Sequence, residues 1–303
     1  MSSTTIDRTP DAPMASRPPR SAGRLKDGRQ RSPFAMVITL ALAVLWSLPT
    51  LGLLITSLRT RDAANSSGWW EAFTKGGWTL GNYKAVFEQA DLGNAFLNGI
   101  LVAVPATIIP IMFAAFAAYA FAFMDFKGKD VLFILIVAVM VIPIQVAFAP
   151  LLDLLGPRGL GISGQYLAVW LLHTGFGMPL CIYTLRNYMA TLPYSVVESA
   201  RIDGCSNFQI FWKLIAPMSM PAIAAFATLQ FLWVWNDLLI AKLFLSNDNT
   251  TVIVKLQQLL GTQGQGAELL TAGAFISMVL PMIVFFLLQN FLVRGMTSGA
   301  VKG

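Results

Sequence analysis

The sequence is short of charge. Only 12% of its 303 residues are Asp, Glu, Lys or Arg, against roughly 25% in a water-soluble domain. With 56% hydrophobic residues, this excludes an ordinary soluble enzyme and points to an all-α membrane protein. Histidine is represented once, by His173, so a histidine-based catalytic triad or a multi-histidine metal site would have to form around a single residue. The two cysteines, Cys181 and Cys205, have the spacing of neither a zinc site nor a redox pair, and no disulfide is expected. A Gly-x-x-x-x-Gly-Lys-Ser/Thr phosphate loop is also missing, so the chain is expected to bind no nucleotide, and no cofactor or metal of its own. The net charge of +6 would suggest nucleic acid in a soluble chain. Here the positive charge gathers near the N-terminus and in a few loops, which is the signature of topology, and no nucleic-acid partner is expected.

What the chain does have is apolar length. Blocks sufficient for the roughly 20 helical residues that cross a ~30 Å hydrocarbon core occur at 34–57, 96–123, 131–152, 165–185, 219–245 and 271–293. Residues 34–303 therefore read as one six-span domain. The fourth block holds His173, Gly175, Gly177 and Pro179 and is expected to kink or unwind where protein rather than lipid surrounds it. Residues 1–33 carry seven basic residues against three acidic ones and too little apolar surface to fold, so they read as a disordered basic cytosolic tail. A signal peptide is the alternative. Against it, the apolar block from Phe34 to Ser57 is too long for an h-region, and no small-x-small cleavage site follows.

Starting inside, residues 124–130, 186–218 and 294–303 fall in the cytosol. Fourteen Lys and Arg then lie inside and seven outside, with Lys242 counted among the latter. That bias predicts both termini inside. The outer segment 58–95 contains Trp69, Trp70, Trp78 and Tyr83, residues suited to the membrane–water interface, with an interfacial helix expected near Asn82–Ala90.

One polar stretch, Glu198–Pro217, lies between two apolar blocks. Its first half, Val196–Ile202, is expected to be helical and carries Glu198 and Arg201, with Asp203 following. Gly204 then allows a turn that a Cβ would penalise. In the second half Phe208, Phe211, Trp212 and Ile215 recur at helical spacing, so one face is aromatic. Such a knuckle outside the lipid is a docking element for a partner; the plainer alternative is an ordinary amphipathic loop.

Ionisable groups inside spans are costly unless they face protein or water. Asp237 is expected to do so. Trp235 and Asn236 flank it, and Gln230, seven residues earlier, lies on nearly the same face of a continuous helix. Amides and a carboxylate pair with hydroxyls while an aromatic ring covers the apolar side of a sugar, so these four are candidates for a solute path. The equal alternative is that Asn236 and Asp237 are interhelical glue. His173, Gln145, Gln289 and Asn290 read as buried structural or interface contacts. A proton relay would need more acids and histidines than the spans offer, which counts against a self-contained secondary carrier.

The run Glu198-Ser199-Ala200, three residues, Gly204, nine residues, Leu214, one residue, Ala216-Pro217 resembles the "EAA" loop of permease subunits of ATP-binding-cassette importers. Ser199, Leu214 and Ala216 replace that pattern's Ala, Ile and Leu. Trp78–Phe87 is similar to the segment before the second span of sugar-type permeases. Ala117–Phe123 with Asp125–Lys129 is similar to their Ala-Tyr-Ala span end and basic turn, Trp235-Asn236-Asp237 to their fifth span, and Gly295–Gly303 to the C-terminus of maltose-type permeases. Ser57-Leu58-Arg59 with Ser67–Trp70 resembles the α-glucoside branch. The resemblance implies a type I importer transmembrane domain in a bacterial or archaeal plasma membrane. It implies a coupling helix in which Glu198, Ala200, Asp203, Gly204, Phe208, Phe211 and Pro217 engage an ATPase. The partners it implies are a second homologous permease, two ATPase subunits holding ATP and Mg, an external solute-binding protein and membrane lipid. The implied solute is a sugar or oligosaccharide, with α-glucosides suggested and an amino acid, peptide or polyamine as the rival.

Overall fold

Where no water reaches the backbone, a chain must satisfy its own N–H and C=O groups, and the α-helix does so within one segment. The computed structural model describes residues 33–89, 91–259 and 266–298, and among these there are α-helices and no strand. In order they are α1 (Pro33–Ser57), α2 (Arg61–Ser66), α3 (Ala72–Lys75), α4 (Gly81–Gln89), α5 (Leu92–Phe123), α6 (Lys129–Val139), α7 (Phe148–Leu155), α8 (Tyr166–Met189), α9 (Tyr194–Ile202), α10 (Asn207–Ile210), α11 (Ala216–Met218), α12 (Met220–Trp235), α13 (Leu239–Phe244), α14 (Val252–Gln258) and α15 (Ala267–Ser298). The tail expected at 1–33 lies outside the described residues except for Pro33, as do Ala90 of the expected interfacial helix and the ending 299–303. The chain divides between Leu48 and Pro49, and the second unit holds both hydrophobic cores.

Four of the helices are long and apolar enough to cross a membrane: Pro33–Ser57, Leu92–Phe123, Tyr166–Met189 and Ala267–Phe291. The number rises to six if each of two bent pairs counts as one span. In the first pair, Lys129–Val139 meets Ile144–Leu155 at 91°, because Pro143 withholds a donor and disfavours a helical Ile142. In the second, Asn207–Met218 meets Met220–Trp235 at 73°, with Pro217 and Pro221 on either side of Ser219. The expectation of an unwound fourth span is corrected: α8 is helical from Tyr166 to Met189. A single proline removes one rung of the ladder, and packing against α5, α12 and α13 retains the rest. The breaks fall in the third and fifth blocks instead, the latter at residues 236–238 between α12 and α13.

α5 and α8 pack along each other most extensively. Small buried residues on α5, among them Ala103, Ala106, Ala114, Ala115 and Ala118, let the two backbones approach. One core joins the ends of α5 and α8 to α9–α12, and the other gathers α5, α8, α12–α15 and α4.

Candidate functional site

The knuckle folds as two short helices about a turn. α9 ends at Ile202, and Gly204 takes φ 78°, a left-handed conformation that a side chain makes costly. Ser206 then opens α10 with a capping box. Its hydroxyl accepts the Gln209 N–H at 3.3 Å, and the Gln209 side chain accepts the Ser206 N–H at 2.9 Å. Phe211–Ile215 forms a π-turn, a form found mostly as single bulges at functional positions. The candidate residues separate into two sets. Glu198, Asp203, Gly204, Phe208 and Pro217 are exposed, Phe208 by 65%. Ala200 and Phe211 are buried and face the bundle rather than a partner.

α5 grips the knuckle through rings of both sets. The Phe116 ring lies 4.4 Å from that of Phe211, 5.7 Å from Trp212 and 6.4 Å from Phe208. Tyr119 Oη donates to Asn207 Oδ1 at 3.1 Å. Arg201 Nη2 donates to the Phe123 carbonyl at 2.8 Å and Nη1 to Tyr194 Oη at 3.1 Å. Phe116, Tyr119 and Phe123 stand on one face of α5 at helical spacing.

Prolines build the second region. Each proline inside a helix leaves the carbonyl four residues earlier without its donor. Pro105 frees the Leu101 carbonyl, which accepts Trp170 Nε1 at 2.9 Å. Pro110 frees that of Ala106, which accepts Gln230 Nε2 at 3.3 Å. Pro281 frees that of Ser277, which accepts Trp235 Nε1 at 3.1 Å. Side chains of other helices thus satisfy the backbone where it has been interrupted. Gly177 of α8 allows Gln230 to cross, since a Cβ there would lie 2.7 Å from Nε2.

Gln230 and Trp233, one turn apart on α12, line a cavity of about 410 Å³. Its walls are the broken third block at Val139–Ala147 and α8 at Gly175–Leu180. Ligand pockets commonly run to roughly 300–1,000 Å³, and among the described residues no charged one lines this cavity. Trp235 lies elsewhere: it is 3% exposed, packs on Phe96 and Phe231 and bonds α15. Asn236 turns back to the Leu232 carbonyl of its own helix at 2.7 Å. Asp237 Oδ2 accepts the N–H groups of Ile240 at 2.9 Å and Ala241 at 3.3 Å, closing the first turn of α13. Buried His173 lies behind it, Nε2 3.7 Å from Asp237 Oδ2, with its ring edge-on to Trp233. The Gln230–Asp237 face exists only in a continuous helix, and α12 ends at Trp235. Trp233 and the α5 grip were missed. The i, i+3 spacing of Trp233 from Gln230 is the signal that could have found the first.

In the segment 58–95, Trp70 and Trp78 are exposed with Phe73 and Leu80. Trp69 instead lies over Gly52, and the Tyr83 hydroxyl pairs with that of Ser57 at 2.8 Å.

Comparison with known proteins places these features. Residues 110–298 match the family described as binding-protein-dependent transport system inner membrane component. The chain is 50% identical over 283 residues to the osmoprotective compounds uptake permease protein GgtD of Synechocystis, covering 90% of this chain and 93% of that one. It is 49% identical over 255 residues to the alpha-glucoside transport system permease protein AglG of Rhizobium meliloti, covering 82% and 67%. In fold it is similar to a bacterial ABC transporter involved in the import of the acidic polysaccharide alginate, with a TM-score of 0.67 over 86% of this chain and 97% of that one, at 19% identity.

Proposed function

Because the chain belongs to the family of binding-protein-dependent transport system inner membrane components, we propose that its knuckle is the cytosolic element an ATPase moves, and that the Gln230–Trp233 cavity lies on the path of a neutral, hydroxyl-rich solute. The chain is a membrane-embedded permease subunit of an ATP-binding-cassette importer, a transport subunit rather than an enzyme. That membership leaves no place for a self-contained carrier.

In this reading the bent pair Lys129–Val139 and Ile144–Leu155 makes one span and the block 219–245, beginning with α12, makes another, giving six with the termini inside. The inside excess of Lys and Arg supports that orientation and puts Glu198–Pro217 in the cytosol. A bacterial or archaeal plasma membrane follows, with a basic tail at 1–33 ahead of the spans. A second permease, two ATPases carrying ATP and Mg, and an external binding protein complete the assembly. Glu198, Asp203, Gly204, Phe208 and Pro217 form the outward docking surface, while Ala200 and Phe211 anchor it from within.

The observation that carries the solute class is the cavity's lining: an amide and an indole among apolar groups, with no charge among the described residues. An amino acid or polyamine would bring a full charge to this wall with nothing to pair it. A glucoside would meet hydrogen-bonding capacity from Gln230 and a stacking face from Trp233. The name of AglG, an alpha-glucoside transport system permease protein, agrees with such a solute, and α-glucosides head the panel to test.

Titration of the cognate binding protein against sugars, amino acids and polyamines is expected to select a glucoside. In the reconstituted complex, Trp233→Ala is expected to lower glucoside uptake roughly two- to tenfold, the equivalent of about 0.5–1.5 kcal/mol of aromatic contact, with the complex intact. Undiminished uptake would remove the cavity from the path.

A further inference from the structure

The knuckle meets the rest of the molecule in three ways. Residues 190–193 join it to α8, with which it shares a core. Its other end leads through the π-turn Phe211–Ile215 and the 73° bend at Ser219 into α12, where the π-turn, Pro217 and Pro221 interrupt the regular helical hydrogen-bond ladder. The third is across space, into α5.

We infer that Phe116 and Tyr119 are positioning residues through which the knuckle drives α5, and that α5 rather than the fifth span carries the motion to the outer loops. The inference rests on the reading of Glu198–Pro217 as the ATPase-driven element.

Three features support it. First, the grip fixes the knuckle in more than one direction. Phe116 is in contact with three knuckle rings, and the Tyr119–Asn207 and Arg201–Phe123 bonds restrain sliding along α5. Rings in mutual contact pass a displacement of the knuckle on to Phe116.

Second, α5 is one helix of 32 residues, about 48 Å at ~1.5 Å per residue. It stays helical through Pro105 and Pro110, and each carbonyl those prolines free is bonded by a neighbouring helix. Those bonds couple α5 sideways: Ala106 to the Gln230 amide at the cavity wall, and Leu101 to Trp170 of α8.

Third, the far end of α5 holds the outer loop. Asn98 Nδ2 donates to the carbonyls of Asp248 at 3.0 Å and Thr250 at 3.2 Å, and its Oδ1 accepts the Tyr166 hydroxyl at 2.8 Å. A push at Phe116 therefore reaches the cavity and the outer loop through one continuous helix. Contact alone is not coupling, so the decisive measurement is solute moved per ATP hydrolysed.

The complete complex, reconstituted in proteoliposomes, should be assayed for uptake and hydrolysis in the same vesicles. Phe116→Ala is expected to keep hydrolysis while uptake per ATP falls about tenfold. Tyr119→Phe, which removes one hydroxyl, is expected to lower the ratio about twofold, in line with a single hydrogen bond. Phe113→Ala, on the exposed side of α5, is expected to leave it unchanged. A ratio at the wild-type level in both Phe116→Ala and Tyr119→Phe overturns the inference. Should Phe116→Ala fail to assemble, Tyr119→Phe decides. Cross-linking of Phe208→Cys to the ATPase, in a Cys205→Ser background, tests the underlying reading separately. A cross-link with unchanged ratios refutes only the α5 route, whereas no cross-link in an assembled, transporting complex refutes the ATPase-driven knuckle itself.

Discussion

A methyl group at Gly177 would sit 2.7 Å from Gln230 Nε2 and 2.9 Å from Oε1, closer than carbon and these atoms can settle. The obstacle is the tip of a flexible side chain, so Gly177→Ala is expected to displace the amide rather than part α8 from α12. Gln230 then gives up its 3.3 Å bond to the Ala106 carbonyl, which Pro110 has already deprived of its helical donor. Leaving a buried acceptor unpaired costs about 1–3 kcal/mol. Crowding adds to this, and the helix gains up to ~1 kcal/mol from replacing glycine by alanine. A net loss of about 1–3 kcal/mol follows, or roughly 2–12 °C in the unfolding midpoint at the size dependence of domains of 150–250 residues. Tryptophan-fluorescence melting of the purified complex measures it. The sharper test is the cycle with Gln230→Ala. That change orphans the same carbonyl on its own but removes what the methyl strikes, so adding Gly177→Ala to it is expected to cost nothing further. The non-additivity should be at least about 1 kcal/mol, as for residues in direct contact. If Gly177→Ala costs the same with and without the Gln230 side chain, the Gln230–Ala106 bond is not what that glycine protects.

Gly204→Val forces a β-branched side chain into φ 78°, at about 1–3 kcal/mol of strain. It is expected to uncouple hydrolysis from uptake or block ATPase association while membrane insertion is unchanged; normal transport would refute the coupling role of the turn. Asp237→Ala removes the acceptor for the Ile240 and Ala241 N–H groups, a capping loss of about 0.5–2 kcal/mol. It is expected to lower both stability and uptake, whereas Asp237→Asn, which can accept the same bonds, should retain stability. Equal melting of the two variants would show that the carboxylate does something other than hold α13.

Periodicity and composition read what is local to one stretch of chain. Scarce charge and apolar length announced a helical membrane protein. The Glu198–Pro217 pattern announced a turned element with an aromatic face, because Gly204 and the ring spacing act within a few residues of one another. Which face of an element meets which neighbour is a different matter. Phe208 and Phe211 look alike in sequence and both meet Phe116, yet the first is exposed and the second buried. Gln230 and Asp237 seemed to share a face only until the helix between them proved to end at Trp235.

The sequence by itself determined that backbone would be interrupted at Pro105, Pro110 and Pro281, since a proline lacks its donor wherever it stands. Only the tertiary structure decided who repairs each gap. The answers are Trp170, Gln230 and Trp235, separated from the carbonyls they serve by 69, 124 and 42 residues. Separations of that size are closed by helix packing, to which no local pattern has access. For that reason Trp235, expected beside the solute, holds α15, and the cavity wall fell to Gln230 and Trp233.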